Sequence, residues 1–99
     1  MRDILLCRII MITENIEIKN KLGLHARPAA MFVQVANKYQ SDVGVIKDGV
    51  EVNGKSVMGM MMLAAHQGSV LKITVNGPDE EKLLSELKNL FEKKFDEEQ

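Results

Sequence analysis

Residues 42–54 read DVGVIKDGVEVNG, and this stretch decides the fold class. Val43 and Val45 alternate on one arm, and Val50 and Val52 alternate on the other. Asp48 and Gly49 stand between the arms. An Asp-Gly pair between two period-two runs suits a type I′ turn, which needs positive φ at both central residues. The segment is therefore expected to be a β-hairpin, and the sheet to be antiparallel at that point.

Working outward, residues 15–20, NIEIKN, place Ile16 and Ile18 at period two, the signature of a strand. Residues 69–77, SVLKITVNG, do the same with Leu71, Ile73 and Val75. Between the first strand and the hairpin, Ala26, Ala29, Ala30, Val33 and Ala36 recur at helical spacing. Phe32, Val35 and Tyr39 widen that face, so a helix is expected from Ala26 to about Gln40. Pro28 falls in its first turn, where a missing N–H costs little. After the hairpin comes KSVMGMMMLAAHQG, residues 55–68, with Ser56 as a candidate N-cap of a helix that Gly59 and Gly68 mark as short and irregular. The last helix is the strongest in the chain. Asp79, Glu80 and Glu81 stand at its positive end and Lys93 and Lys94 at its negative end. Its buried stripe is Leu83, Leu84, Leu87, Leu90 and Phe91. The order β-α-β-β-α-β-α gives an α+β two-layer domain of four strands with three helices on one face.

The bulk properties limit the function classes. At 99 residues one domain is expected. A hydrophobic content of 45% against 27% charged residues fits a folded chain, and a net charge of −1 gives no bulk attraction to nucleic acid or an anionic membrane. Aromatics at 4% and no Trp argue against a base-stacking surface. Cys7 is the only cysteine, so no internal disulfide or Cys-rich zinc site is possible, and a cytoplasmic location is expected. Residues 1–10 are apolar but interrupted by Arg8 and too short to span a bilayer. They read as an N-terminal extension or a mis-assigned start, with Met11 the alternative first residue. Residues 11–95 form the domain and 96–99 a frayed tail.

The chemistry centres on residues 23–28, GLHARP. His25 stands at the expected helix start, where unpaired N–H groups and about half a positive charge make an anion site. Arg27, within the same turn, adds a guanidinium suited to phosphate oxygens. A neutral imidazole at such a place can attack phosphorus, and the helix end and Arg27 can hold the transferred group. A plain helix-capping histidine is the competing reading. Two histidines about forty residues apart, with no clustered acids, make neither a zinc site nor a triad. His66 reads as a surface loop residue.

GLHARPAA at 23–30, NGKSVMG at 53–59 and GPDEE at 77–81 together resemble the HPr family, the histidine-containing phosphocarriers of the sugar phosphotransferase system. The resemblance runs from about Met11 to Phe95. It implies an open-faced β-sandwich, a four-stranded antiparallel sheet covered on one face by three helices. It implies that His25 accepts phosphate on Nδ1 from enzyme I and passes it to enzyme IIA domains, with Arg27 contacting the phosphate. The chain would then be a phosphoryl-transfer intermediate rather than an independent enzyme, with no cofactor and no metal of its own. Ser56 matches the serine modified by HPr kinase/phosphorylase, with a catabolite-control transcription factor as the further partner of that form. The Met run exceeds what one short helix can bury, so part of it faces out; Val57, Met58 and Met61 are the expected partner contacts. Met62 departs from the family pattern, in which small polar residues are common. A nitrogen-related phosphocarrier and a regulatory module acting through phosphorylated Ser56 are the alternative functions. Direct nucleic-acid binding and membrane insertion are not expected.

Overall fold

The computed structural model describes residues 12–96; the expected N-terminal extension and the last three residues of the tail lie outside them. The elements are β1 (Ile12–Glu17), α1 (Ala26–Ala36), β2 (Asp42–Lys47), β3 (Val50–Asn53), α2 (Val57–Met62), β4 (Val70–Asn76) and α3 (Glu80–Glu92), followed by one turn at Lys94–Asp96. The strands form one antiparallel sheet in the order β1-β4-β2-β3. The expected α+β architecture is the one observed.

Registers show how the sequence alternation becomes a core. Ile12 pairs with Val75, which pairs with Val43; Glu14 pairs with Ile73, which pairs with Val45 and through it with Val52. These residues share one face of the sheet, and Val43, Val45, Leu71, Ile73 and Val75 are buried there. The opposite face carries Thr13, Asn15, Gly44, Glu51, Asn53, Lys72 and Thr74 by the same registers. One face is apolar and the other, Ile46 and Val70 apart, is polar, because side chains alternate along each strand. Phe32, Leu83, Leu87 and Phe91 close the apolar face from the helix layer. Phe32 meets Phe91 edge-on at 6.0 Å between ring centroids. Each such residue stabilises the fold by about 1.5–3 kcal/mol through burial alone.

The hairpin turn has the expected geometry: Asp48 has φ 51° and Gly49 has φ 82°. Three boundaries differ from expectation. β1 starts earlier, at Ile12, and ends at Glu17, so Ile18 lies just past the strand although it is fully buried. Helix α1 ends at Ala36 rather than near Gln40. There the amides of Lys38 and Tyr39 turn to the carbonyls three residues back, at 3.1 and 3.3 Å, which tightens the chain into a turn. Ala26, placed on the apolar face by spacing, is exposed, whereas Phe32 is fully buried; the buried set is Pro28, Ala29, Phe32, Val33 and Ala36. The third difference is at the C-terminus. α3 stops at Glu92, and Lys94, Phe95 and Asp96 all take φ near +55°. That left-handed turn costs backbone energy in non-glycine residues. It folds Phe95 into the core, 5.0 Å from the Phe91 ring, so Lys94 stands past the helix rather than in its last turn. Asp96, assigned to the tail, belongs to this turn: its amide donates to the Lys93 carbonyl at 3.0 Å.

Asp79 begins α3 but does not cap it with its own side chain. Its carboxylate instead accepts the amides of Gln40 and Ser41, both at 3.0 Å, and the Ser41 hydroxyl. The Ser41 hydroxyl, then the Gln40 amide, hold the Asp79 carboxyl below its ordinary value. Asp79 thus ties the start of α3 to the turn that ends α1. A depressed folded-state value means that the tie contributes stability above the unfolded carboxyl value, about 3.9, and loses it as pH falls through the folded value. Asp79→Asn is therefore expected to lower the melting temperature at pH 7. The gap to wild type should narrow below about pH 4, as read from melting curves across pH.

Candidate functional site

The sheet register assembles the site. Glu17 at the end of β1 pairs with Val70 at the start of β4. The loop leaving β1 and the loop entering β4 therefore lie side by side. Ile18 N–H donates to the Ser69 carbonyl at 2.8 Å, Gly68 N–H to the Ile18 carbonyl at 2.9 Å, and Leu24 N–H to the Ala65 carbonyl at 2.9 Å. Gly23 has φ 73°, and a Cβ there would stand 2.6 Å from the Ala65 oxygen and 2.7 Å from His66 Cα. Only glycine permits that backbone conformation and that approach together.

His25 follows directly. It is the N-cap residue of α1, with φ −84° and ψ −168°, and its carbonyl accepts the first helical bond from Ala29 N–H at 3.0 Å. Its side chain makes no capping bond, which removes the plain capping reading. The residue is exposed, as are Ala26 and Arg27, while Leu24, Pro28 and Ala29 on either side are buried. An exposed imidazole is thus held on a buried base at the positive end of an 11-residue helix.

Arg27 is already engaged. Its Nη2 donates to the Phe95 carbonyl at 3.0 Å, and its Nη1 lies 3.4 Å from Met31 Sδ. The left-handed turn that buries Phe95 presents this carbonyl to the guanidinium. Spacing alone could not show the contact, because it joins residues 68 apart. The guanidinium keeps further donors for an anion at His25.

The expected partner-binding residues divide. Ser56 caps α2: its Oγ accepts from Gly59 N–H at 3.0 Å. Met60 is fully buried, whereas Met58, Met61 and Met62 are 76%, 44% and 74% exposed. Val57 is partly buried and packs against the core, so it is a support for the patch more than a part of it. Leu22, 66% exposed in the β1–α1 loop, adds apolar surface on the His25 loop that the sequence reading missed. Ala65, which touches the His25 loop, follows the end of α2, whereas Ser56 precedes its start. The six-residue helix sets these ends about 9 Å apart. Ser56 therefore borders the Met surface, at the opposite end of α2 from Ala65. His66 is exposed, with Nδ1 3.1 Å from the Ala64 carbonyl, in the loop that Gly23 contacts. Among the described residues no group of three or more His, Cys, Asp or Glu is placed to hold a metal ion, and no helix is long and apolar enough to cross a membrane.

An exposed histidine at a helix start, on an open-faced four-stranded sandwich that also exposes Leu22, Met58, Met61 and Met62, is the arrangement of a small carrier-like domain. Comparison with known proteins gives the family. Residues 12–93 match the PTS-HPr family, described as "PTS HPr component phosphorylation site", and the chain belongs to it. It is 44% identical over 88 residues to phosphocarrier protein HPr of Treponema pallidum, which covers 89% of this chain and 100% of that protein. It is 47% identical over 77 residues to the HPr-like protein Crh of Bacillus subtilis, covering 78% and 91% of the two chains. A crystal structure of HPr from Thermoanaerobacter tengcongensis superposes with a TM-score of 0.85 at 52% identity, over 89% of this chain and 99% of that one. The chain is thus a member of the HPr phosphocarrier family of the phosphotransferase system.

The methionines offer a direct check on the division of the surface. Met60→Ala should destabilise the domain by about 2–5 kcal/mol, because it empties a buried site. Met58→Ala should change stability by less than about 0.5 kcal/mol. Chemical denaturation of the two variants measures both.

Proposed function

We propose that this chain accepts a phosphoryl group on Nδ1 of His25 from enzyme I of the sugar phosphotransferase system and passes it to enzyme IIA domains, in the cytoplasm. The observation that carries this reading is the exposed His25 imidazole, held without a capping bond at the start of α1. The Nδ1 lone pair of the neutral, Nε2-protonated ring forms the new bond to phosphorus as the bond from phosphorus to the donor breaks; the donor group leaves with that bonding pair, and the Nε2 proton stays on the ring. The chain needs to supply little covalent machinery, because phosphoryl transfer depends chiefly on positioning and charge. Helix α1 contributes its partial positive end. Arg27 contributes the guanidinium, shared in the unphosphorylated chain with the Phe95 carbonyl. Partners dock over Met58 and Met61, whose flexible thioethers adapt to different surfaces.

A second reading concerns regulation. Similarity to Crh of Bacillus subtilis, named as a catabolite repression HPr, supports a regulatory role beside the carrier role, and we assign it to a Ser56-phosphorylated form. An HPr kinase/phosphorylase would modify Ser56, and a catabolite-control transcription factor would bind the product. Ser56 Oγ already sits at the start of α2, beside the Met surface. A phosphate there would be tolerated by the fold and would oppose apolar docking, since a closing partner must desolvate the charge.

His25→Ala should abolish acid-labile labelling by enzyme I and leave the melting temperature near wild type; normal labelling would contradict the phosphoacceptor role. Arg27→Ala should slow single-turnover transfer, and Arg27→Lys should recover only part of the rate, since an ammonium lacks the bidentate fork. Ser56→Asp should weaken enzyme I binding without unfolding the domain, and phosphoserine should weaken it further, by up to roughly a hundredfold for a loss of about 3 kcal/mol. Titration of enzyme I against the three forms, with melting curves alongside, measures this; equal affinities would leave Ser56 as a cap alone.

A further inference from the structure

We propose that Asn20 is a positioning residue for His25, acting by fixing the plane of the Gly23–Leu24 peptide. The proposal rests on the phosphoacceptor reading of His25. Asn20 is one of two polar residues buried among the described residues, with 0% exposure. Its Nδ2 donates to the Gly23 carbonyl at 2.7 Å, and Gly23 N–H donates back to the Asn20 carbonyl at 3.2 Å. The turn from 20 to 23 is therefore closed from both sides.

The consequence lies in the next peptide unit. The Gly23 carbonyl and the Leu24 N–H belong to one planar group, and the described residues contain no cis peptide bond. In a trans peptide these two groups point in opposite directions. Asn20 Nδ2 holds the carbonyl, and the Ala65 carbonyl holds the N–H at 2.9 Å. The plane is gripped at both ends and cannot rotate without breaking a buried hydrogen bond. Leu24, 3% exposed, anchors the same segment by its side chain. One peptide further on comes His25, and with the Leu24 side chain buried and the His25 carbonyl bonded to Ala29 N–H, the orientation of the held plane carries through to where the His25 ring stands at the start of α1.

Losing the Asn20 donor leaves the Gly23 carbonyl buried without that partner, which favours rotation of the plane. The fold itself has other fasteners: Ile18 to Ser69, Gly68 to Ile18, and Leu24 packing. Misplacement of a reacting atom by about an ångström can cost a hundredfold in rate. Asn20→Ala is therefore expected to slow phosphoryl acceptance by between about tenfold and a hundredfold, in a chain that still melts cooperatively.

Asn20→Asp separates positioning from bulk. Its shape is that of Asn, but it can donate to the Gly23 carbonyl only when protonated. Burial raises a carboxyl's pKa above its usual value, about 3.9. Acceptance by this variant relative to wild type should be highest near pH 5 and fall as pH rises toward about 8, whereas the ratio for Asn20→Ala should stay flat. The charged and titratable groups near the turn are Lys19, with its partner Glu92, Lys21, His25 and His66. All are common to wild type and variants, and the ¹⁵N resonances of the His25 ring, followed across the same pH range, separate any change that the new carboxylate makes in the ring's own protonation from loss of the Gly23 hydrogen bond.

The experiment is single-turnover acceptance from phosphorylated enzyme I across this pH range, with ¹⁵N resonances of the His25 ring recorded on the unphosphorylated chains. The proposal expects slower acceptance, shifted ring resonances in both variants and a pH-dependent ratio for Asn20→Asp alone. Wild-type rates with unmoved ring resonances would overturn it. So would slow acceptance with unmoved ring resonances and a flat ratio, the pattern of a merely structural residue. If wild type itself accepts no phosphate, the phosphoacceptor reading fails, and the ring resonances alone then decide the role of Asn20.

Discussion

The antiparallel pairing of β1 with β4 is the constraint on which the molecule depends. Its register, Glu17 against Val70, sets the loop that leaves β1 beside the loop that enters β4. Those loops carry the candidate site. The order β1-β4-β2-β3 also puts the two ends of the sequence's first connection, β1 to β2, on opposite sides of β4. The connection therefore passes across β4, and Ala29, Phe32, Val33 and Ala36 of the helix within it, α1, join Leu71, Ile73 and Val75 in one buried cluster. Sheet alternation, helix placement and the meeting of the loops are one consequence of that pairing.

Much of this was legible in the sequence because the signals are local. The Asp48-Gly49 turn, the alternation of Leu71, Ile73 and Val75, and the Leu83–Phe91 stripe each need only neighbouring residues to be read. So does His25 at the start of α1, since Pro28 and the alanine-rich run mark the helix. What stayed hidden depends on contacts far apart in the chain. The turn that follows α1 is held by Asp79 reaching Gln40 and Ser41. The state of Arg27 is set by Phe95, and the stop of α3 by a left-handed turn of three non-glycine residues, which no propensity would assign. Asn20 is intermediate: an Asn three residues before a Gly signals a turn, but its burial does not show.

The site separates fixed from adaptable parts. Backbone contacts around Gly23 and Ala65 fix where His25 stands, at a helix end that favours negative charge. Met58, Met61 and Met62 are unfastened side chains on a short helix whose Met60 is locked into the core. A carrier that must accept a group from one protein and deliver it to others needs that combination: a reacting atom that does not move, and a surface that can. Arg27 stands between the two, bonded to Phe95 yet with donors to spare.

The central claim is that this backbone holds one histidine ready to carry a phosphoryl group. The most direct measurement is NMR of the wild-type chain, labelled with ¹⁵N in its histidines and phosphorylated by enzyme I and phosphoenolpyruvate. The account expects one acid-labile phosphoryl group, coupled to Nδ1 of His25, with the His66 resonances unchanged by covalent attachment. Phosphate on His66, at another residue or nowhere in the chain would contradict it.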